Sequence, residues 1–157
     1  MKTTKTIKTL SILLFFALAI VATSCKKDKN GGSTGKTGTF SIDGVSYSGE
    51  TSIQTFSNGN YSILCEQNSP YGLLQITFHN KAEAEAGGTF DVGASIIDTP
   101  SGEVSISADA SMFHTYENDG PQTISVSGKK ITISNVDLVS TGAGTSSITV
   151  NSASINF

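Results

Sequence analysis

The 157-residue chain contains no arginine and no tryptophan, only three prolines, and two each of histidine and cysteine. Each shortage removes a class of function. Bidentate reading of phosphates and base edges depends on the arginine fork, so nucleic acid is not an expected partner. The few histidines and cysteines are not clustered. They do not supply the three or four spaced ligands of a zinc site, so no metal or other cofactor is expected. No Gly-x-Ser-x-Gly elbow presents a nucleophile, and no catalytic grouping stands out, so an enzyme is not expected. Scarce proline with abundant glycine, serine and threonine indicates a folded, β-rich chain of one domain.

What is present begins with an address. Lys2, Lys5 and Lys8 form a basic start without acids, and Leu10 to Ala22 is almost wholly apolar. A spanning helix needs about 20 apolar residues, so this run fits the core of a cleaved signal peptide. It ends in Val21-Ala22-Thr23-Ser24-Cys25, small residues directly before a cysteine. This stretch resembles the lipobox of bacterial lipoproteins. The resemblance implies a signal peptide over 1–24, cleavage before Cys25, a diacylglyceryl (palmitate-type) lipid on the Cys25 sulfur, and an acylated new amino terminus. Several acyl chains together would anchor the protein stably, where one chain holds weakly.

Residues 25–36 then read as the lipidated cysteine and a flexible tether, rich in Gly and Lys and free of large apolar groups. Gly32-Ser33-Thr34-Gly35-Lys36-Thr37 imitates a phosphate-binding loop. The motif's first glycine is missing, since Asn30 stands there, and no strand precedes it, so the nucleotide reading is set aside.

From Thr37 to Phe157 the dominant period is two. Phe40 and Ile42 alternate with Ser41 and Asp43; Asp43-Gly44 and Asn58-Gly59 are turn signals. Tyr61, Ile63 and Cys65 share one face, as do Leu74, Ile76 and Phe78, then Val104, Ile106, Ala108, Ala110 and Met112. Two phase slips occur, between Ile133 and Val136 and between Val150 and Ala153. A one-residue slip turns every later side chain to the other face, so bulges, or strands changing sheet, are expected near Asn135 and Ser152. Asn80, Glu83 and Gly87 frame one short helical turn near 81–86. The expected fold is all-β: an antiparallel β-sandwich over 37–157, with a small β-barrel as the alternative.

Candidate functional residues are few. Cys65, on an apolar face, reads as a core residue rather than a reactive thiol. Tyr47, Tyr71 and Tyr116, with His114, are the candidate ligand-binding residues, the tyrosines as platforms for sugar stacking. Glu117, Asn118 and Asp119 gather oxygen ligands, a weak calcium candidate that a plain Asp-Gly turn explains better.

The layout resembles the small β-sandwich lipoproteins of Bacteroidota, many of them domains of unknown function. The residues that carry the likeness are the lipobox with Cys25-Lys26-Lys27-Asp28, Phe40-Ser41-Ile42-Asp43-Gly44-Val45-Ser46-Tyr47, Ile76-Thr77-Phe78, Gly88-Thr89-Phe90-Asp91-Val92-Gly93 and Ser154-Ile155-Asn156-Phe157. The usual opening has tryptophan where Tyr47 stands. The resemblance implies fold and location: a cell-envelope lipoprotein of the outer membrane, on its periplasmic or surface face. It carries over no site. The expected function is a binding or structural module for a glycan or an envelope protein. The alternatives are a hydrolase of envelope or polysaccharide substrates, using His114, Asp119 or Glu117, and a small barrel whose interior, lined by Val104, Ile106 and Met112, carries an apolar ligand. From Thr37 onward there are 3 lysines against 12 acids, a charge of −9, against −3 for the whole chain. Neutral or cationic partners suit that domain.

Overall fold

A computed structural model of the chain describes residues 31–93, 98–109, 113–114, 122–140 and 146–157. The leader, Cys25, Met112, Tyr116 and the Glu117-Asn118-Asp119 turn lie outside them. Among the described residues the strands are β1 (Gly31–Ile42), β2 (Val45–Thr55), β3 (Tyr61–Asn68), β4 (Tyr71–Phe78), β5 (Gly88–Val92), β6 (Glu103–Ala108), β7 (Phe113–His114), β8 (Thr123–Ser127), β9 (Lys130–Ser140) and β10 (Ser147–Asn156). One helix, α1 (Lys81–Ala86), joins β4 to β5.

The fold is all-β. Its hydrogen bonds run β10-β1-β2-β3-β4-β6-β5-β8-β9, and β9 pairs back onto β10, so nine strands close one ring. Two separate sheets, as a sandwich requires, are not what these pairings make. Every ladder in the ring is antiparallel except β5 on β6, which is parallel. The tenth strand, β7, bridges the C-terminal ends of β6 and β9. Closure follows from chain order: β1 has β2 on one edge and β10 on the other, so the first and last strands meet.

Alternation decides what lies inside. Ile63, Cys65, Leu74, Ile76, Phe78, Val104 and Ile106 have no exposed surface, and they join Phe40, Ile131, Leu138, Val150 and Ile155 in one cluster. Both expected phase slips are irregularities. Between β1 and β10 the register shifts after Ser41–Ser152 to Ile42–Val150, passing over Asn151. Asn135 has φ +50°, left-handed backbone that asparagine tolerates better than most residues. β9 and β10 keep a constant register through both points, so the two strands slip together.

α1 forms as expected. The Asn80 side chain accepts from Glu83 N at 2.9 Å, and Gly87, at φ +72°, donates its N–H to Glu83 O at 3.1 Å. Ala84 turns into the core. The Glu83 carboxylate takes the Ser101 hydroxyl at 2.6 Å and Gly102 N at 3.2 Å, fastening the helix to the turn before β6.

One expectation changes. Residues 31–36, read as tether, are strand: Gly31, Gly32 and Ser33 pair with Gln54, Ile53 and Ser52. Thr34 and Gly35 form a bulge, with the Thr34 hydroxyl on Thr51 O at 2.9 Å. Backbone pairing to an existing strand needs no apolar side chain, which is why composition alone misplaces the boundary. Ser105 and Ser107, opposite in alternation to Val104 and Ile106, are also buried, with Ser62 and Thr77. Three of these hydroxyls have hydroxyl partners: Ser62 Oγ lies 2.5 Å from Thr77 Oγ1, and Ser105 Oγ lies 3.2 Å from Thr99 Oγ1.

Candidate functional site: a hydroxyl-lined groove

The ring has a parting between β2 and β3. Their pairing runs from Thr55–Tyr61 to Glu50–Glu66 and stops, while β1 stays paired to β2 as far as Val45 and β4 to β3 as far as Asn68. Gly49 sits at the point of departure. A Cβ there would lie 1.9 Å from Glu66 O, so only glycine lets the two backbones approach this closely before they separate. Beyond it a side chain takes over the ladder: Ser48 N donates to Gln67 Oε1 at 2.7 Å, and Gln67 Nε2 donates to Pro70 O at 2.9 Å.

A groove of about 380 Å³ lies here, lined by Thr39, Phe40, Ser41, Ser46, Tyr47, Ser48, Gln67 and Ser152. That volume is at the small end for ligand pockets. Thr39, Ser41, Ser46, Ser48 and Ser152 stand on the outer face, opposite in alternation to the inward Phe40. Ser41 Oγ and Ser152 Oγ are 3.0 Å apart; among the described residues the hydroxyls of Thr39, Ser46 and Ser48 make no hydrogen bond. None of the eight lining residues is charged. The side chains on this outer face offer hydroxyl donors and acceptors and no ionic contact.

The Tyr47 ring lies on the other side of the sheet from these hydroxyls, with Phe40. Tyr47 is half-buried and stacks on Phe40, its cross-strand partner, with ring centroids 5.0 Å apart and planes 15° apart. Its other neighbour is Gly72, where a Cβ would fall 2.3 Å from Tyr47 Cδ1. Of the residues singled out from sequence, Tyr47 lines the groove. Tyr71 precedes Gly72, is 50% exposed and is not among the residues that line the groove. His114 is on β7, its backbone paired with Ser107 and Val139, away from the groove strands. The structure does not bring these three together. The serines and Gln67 carry no such signal in the sequence, because only the strand register gathers them at one place.

Other titratable groups have structural surroundings. Burial pushes the Cys65 thiol up, against the lowering effect of hydrogen bonding with the Gly49 and Gly38 backbone, which is the setting of a core cysteine. His79 Nδ1 lies 2.9 Å from Thr99 O. No group of three or more His, Cys, Asp or Glu placed to hold a metal occurs among the described residues, and no helix there is long and apolar enough to cross a membrane.

No family model, curated protein or solved structure matches the chain.

Proposed function

We propose that this is a lipid-anchored cell-envelope protein of the outer membrane whose small β-barrel domain is a binding module. The anchor reading rests on the apolar run and small residues before Cys25. The binding reading rests on one observation: an uncharged, hydroxyl-lined groove beside the point where β2 leaves β3. A neutral polyhydroxylated ligand, a glycan, matches that lining. Serine and threonine hydroxyls both donate and accept, as sugar hydroxyls do. An acidic ligand would instead meet a domain of charge −9.

Binding of the chain from Lys26 onward to a glycan array tests the module. Thr39→Tyr and Ser46→Tyr, at exposed positions, should fill the groove and abolish binding without lowering the melting temperature. Binding to no glycan, with an envelope protein co-purifying instead, would move the assignment to a protein ligand. The anchor is tested separately. Cys25→Ala should lose palmitate label and membrane attachment.

A further inference from the structure

We infer that the groove holds an internal stretch of a neutral polysaccharide chain, laid across β2, β1, β10 and β9, rather than a single sugar or a chain end. The inference rests on the glycan reading of the groove and names its ligand class.

The observation is the continuity of the lining beyond the groove. Ser46 is paired with Ser41, Ser41 with Ser152, and Ser152 with Ser134 on β9. One step along the strands, Ser48 is paired with Thr39, Thr39 with Ser154, and Ser154 with Thr132. These two adjacent rows therefore cross four strands with a hydroxyl at every position. All eight residues are exposed or half-buried, and neither charge nor large apolar group interrupts them. Five of the eight line the groove. The other three, Ser134, Thr132 and Ser154, continue it past its β10 side.

The geometry suits a polymer. Neighbouring strands lie about 4.8 Å apart and the two rows about 6.6–6.8 Å apart, so the surface is a regular grid of hydroxyls about 14 Å long. A polysaccharide chain presents hydroxyls repeatedly along its length and can address such a grid at successive units. A single sugar would reach only the groove. Each hydrogen bond is worth only about 0.5–1.5 kcal/mol net, so useful affinity has to accumulate over several units. Among the described residues nothing closes the β10 side as a chain-end pocket would, since Ser152 there leads directly to Ser134. The absence of charge on the grid selects against uronic or sulfated chains, which the acidic domain would also repel.

The test uses the full-length protein in detergent and neutral oligosaccharides of the malto-, cello-, xylo- and manno-series, from two to eight units. The expected result is an affinity that rises about tenfold or more with length in at least one series, equivalent to about 1.4 kcal/mol. Thr132→Glu with Ser134→Glu should remove the gain while leaving binding of the shortest ligand unchanged. Thr132→Val with Ser134→Ala repeats the test without added charge, and an unchanged melting temperature shows that each variant is folded. Length-independent binding that both pairs leave untouched would overturn the polymer inference and leave the groove reading standing. No binding at any length, or undiminished binding by Thr39→Tyr, would overturn the groove reading itself. Preference for anionic over neutral chains would overturn the ligand class.

Discussion

Glu50 on β2 and Glu66 on β3 stand directly opposite each other, both exposed, at the last paired position before the two strands part. Like charges directly opposite in a ladder are destabilising. Glu50→Lys replaces repulsion with attraction and should stabilise the fold by about 0.2–1 kcal/mol. A urea midpoint that rises at low salt, with the gain shrinking in 1 M salt as charges are screened, is the expected result. An unchanged midpoint at low salt would show that the pair exerts no strain.

Gly72 and Tyr47 are matched surfaces. An alanine methyl at Gly72 would meet the Tyr47 ring at 2.3 to 2.9 Å, so the ring must move. Gly72→Ala should cost about 1–3 kcal/mol through overpacking and weaken any ligand that uses the groove. In the double variant with Tyr47→Ala the clash is gone, so the two costs should fall short of additive by at least about 0.5 kcal/mol. Additive costs in a double-mutant cycle would place the strain elsewhere.

Asn60 is buried, and its side-chain Nδ2 serves the carbonyls of Phe78 at 3.3 Å, His79 at 3.2 Å and Thr99 at 3.4 Å. Its amide ties the end of β4 to the segment before β6. Asn60→Ala leaves acceptors without their donor in a site closed to water, and should cost about 1–3 kcal/mol. Asn60→Asp keeps the shape but not the donor, and should cost at least as much. Equilibrium unfolding of both variants checks this, and a neutral Asn60→Asp would refute the donor role.

The Ser101 hydroxyl, helped by Gly102 N–H, holds the Glu83 carboxyl below its usual range. A depressed carboxyl contributes stability that is present above its unfolded value, about 4.3, and is lost as pH falls through the folded value. Glu83→Gln should therefore destabilise by about 0.5–1.5 kcal/mol at pH 7 and progressively less on the acid side. Unfolding curves at neutral and acid pH measure the difference. A gap that stays constant with pH would mean that the carboxylate charge is not involved.

Much of the fold is readable along the chain because a strand has a rigid period. The inward residues of β3, β4 and β6 follow from alternation, and so do both slips: the skipped Asn151 and the left-handed Asn135 lie where the phase of the apolar residues changes. Asn80, Glu83 and Gly87 fix the helical turn by local chemistry. Lateral order is different. Nothing in the alternation of Gly88–Val92 says that it lies parallel to β6, or that β1 finds β10. The groove inherits that difficulty. Tyr47 is conspicuous as an aromatic residue, but its ring is spent partly on Phe40, and its neighbours Gln67 and Ser152 come from 20 and 105 residues away. Outward serines carry no signal of their own until pairing gathers them.

Because β1 lies between β2 and β10, its free edge waits for the last residues of the chain to be made. Synthesis from the amino terminus delivers ten strands before the seam can be sewn, and folding that depends on such distant partners is slow. Through that interval the edge is an open template for any passing strand. A ribosome that stops before Ser147 would release a sheet still looking for its closing member. Pairing with β10 is what ends that exposure.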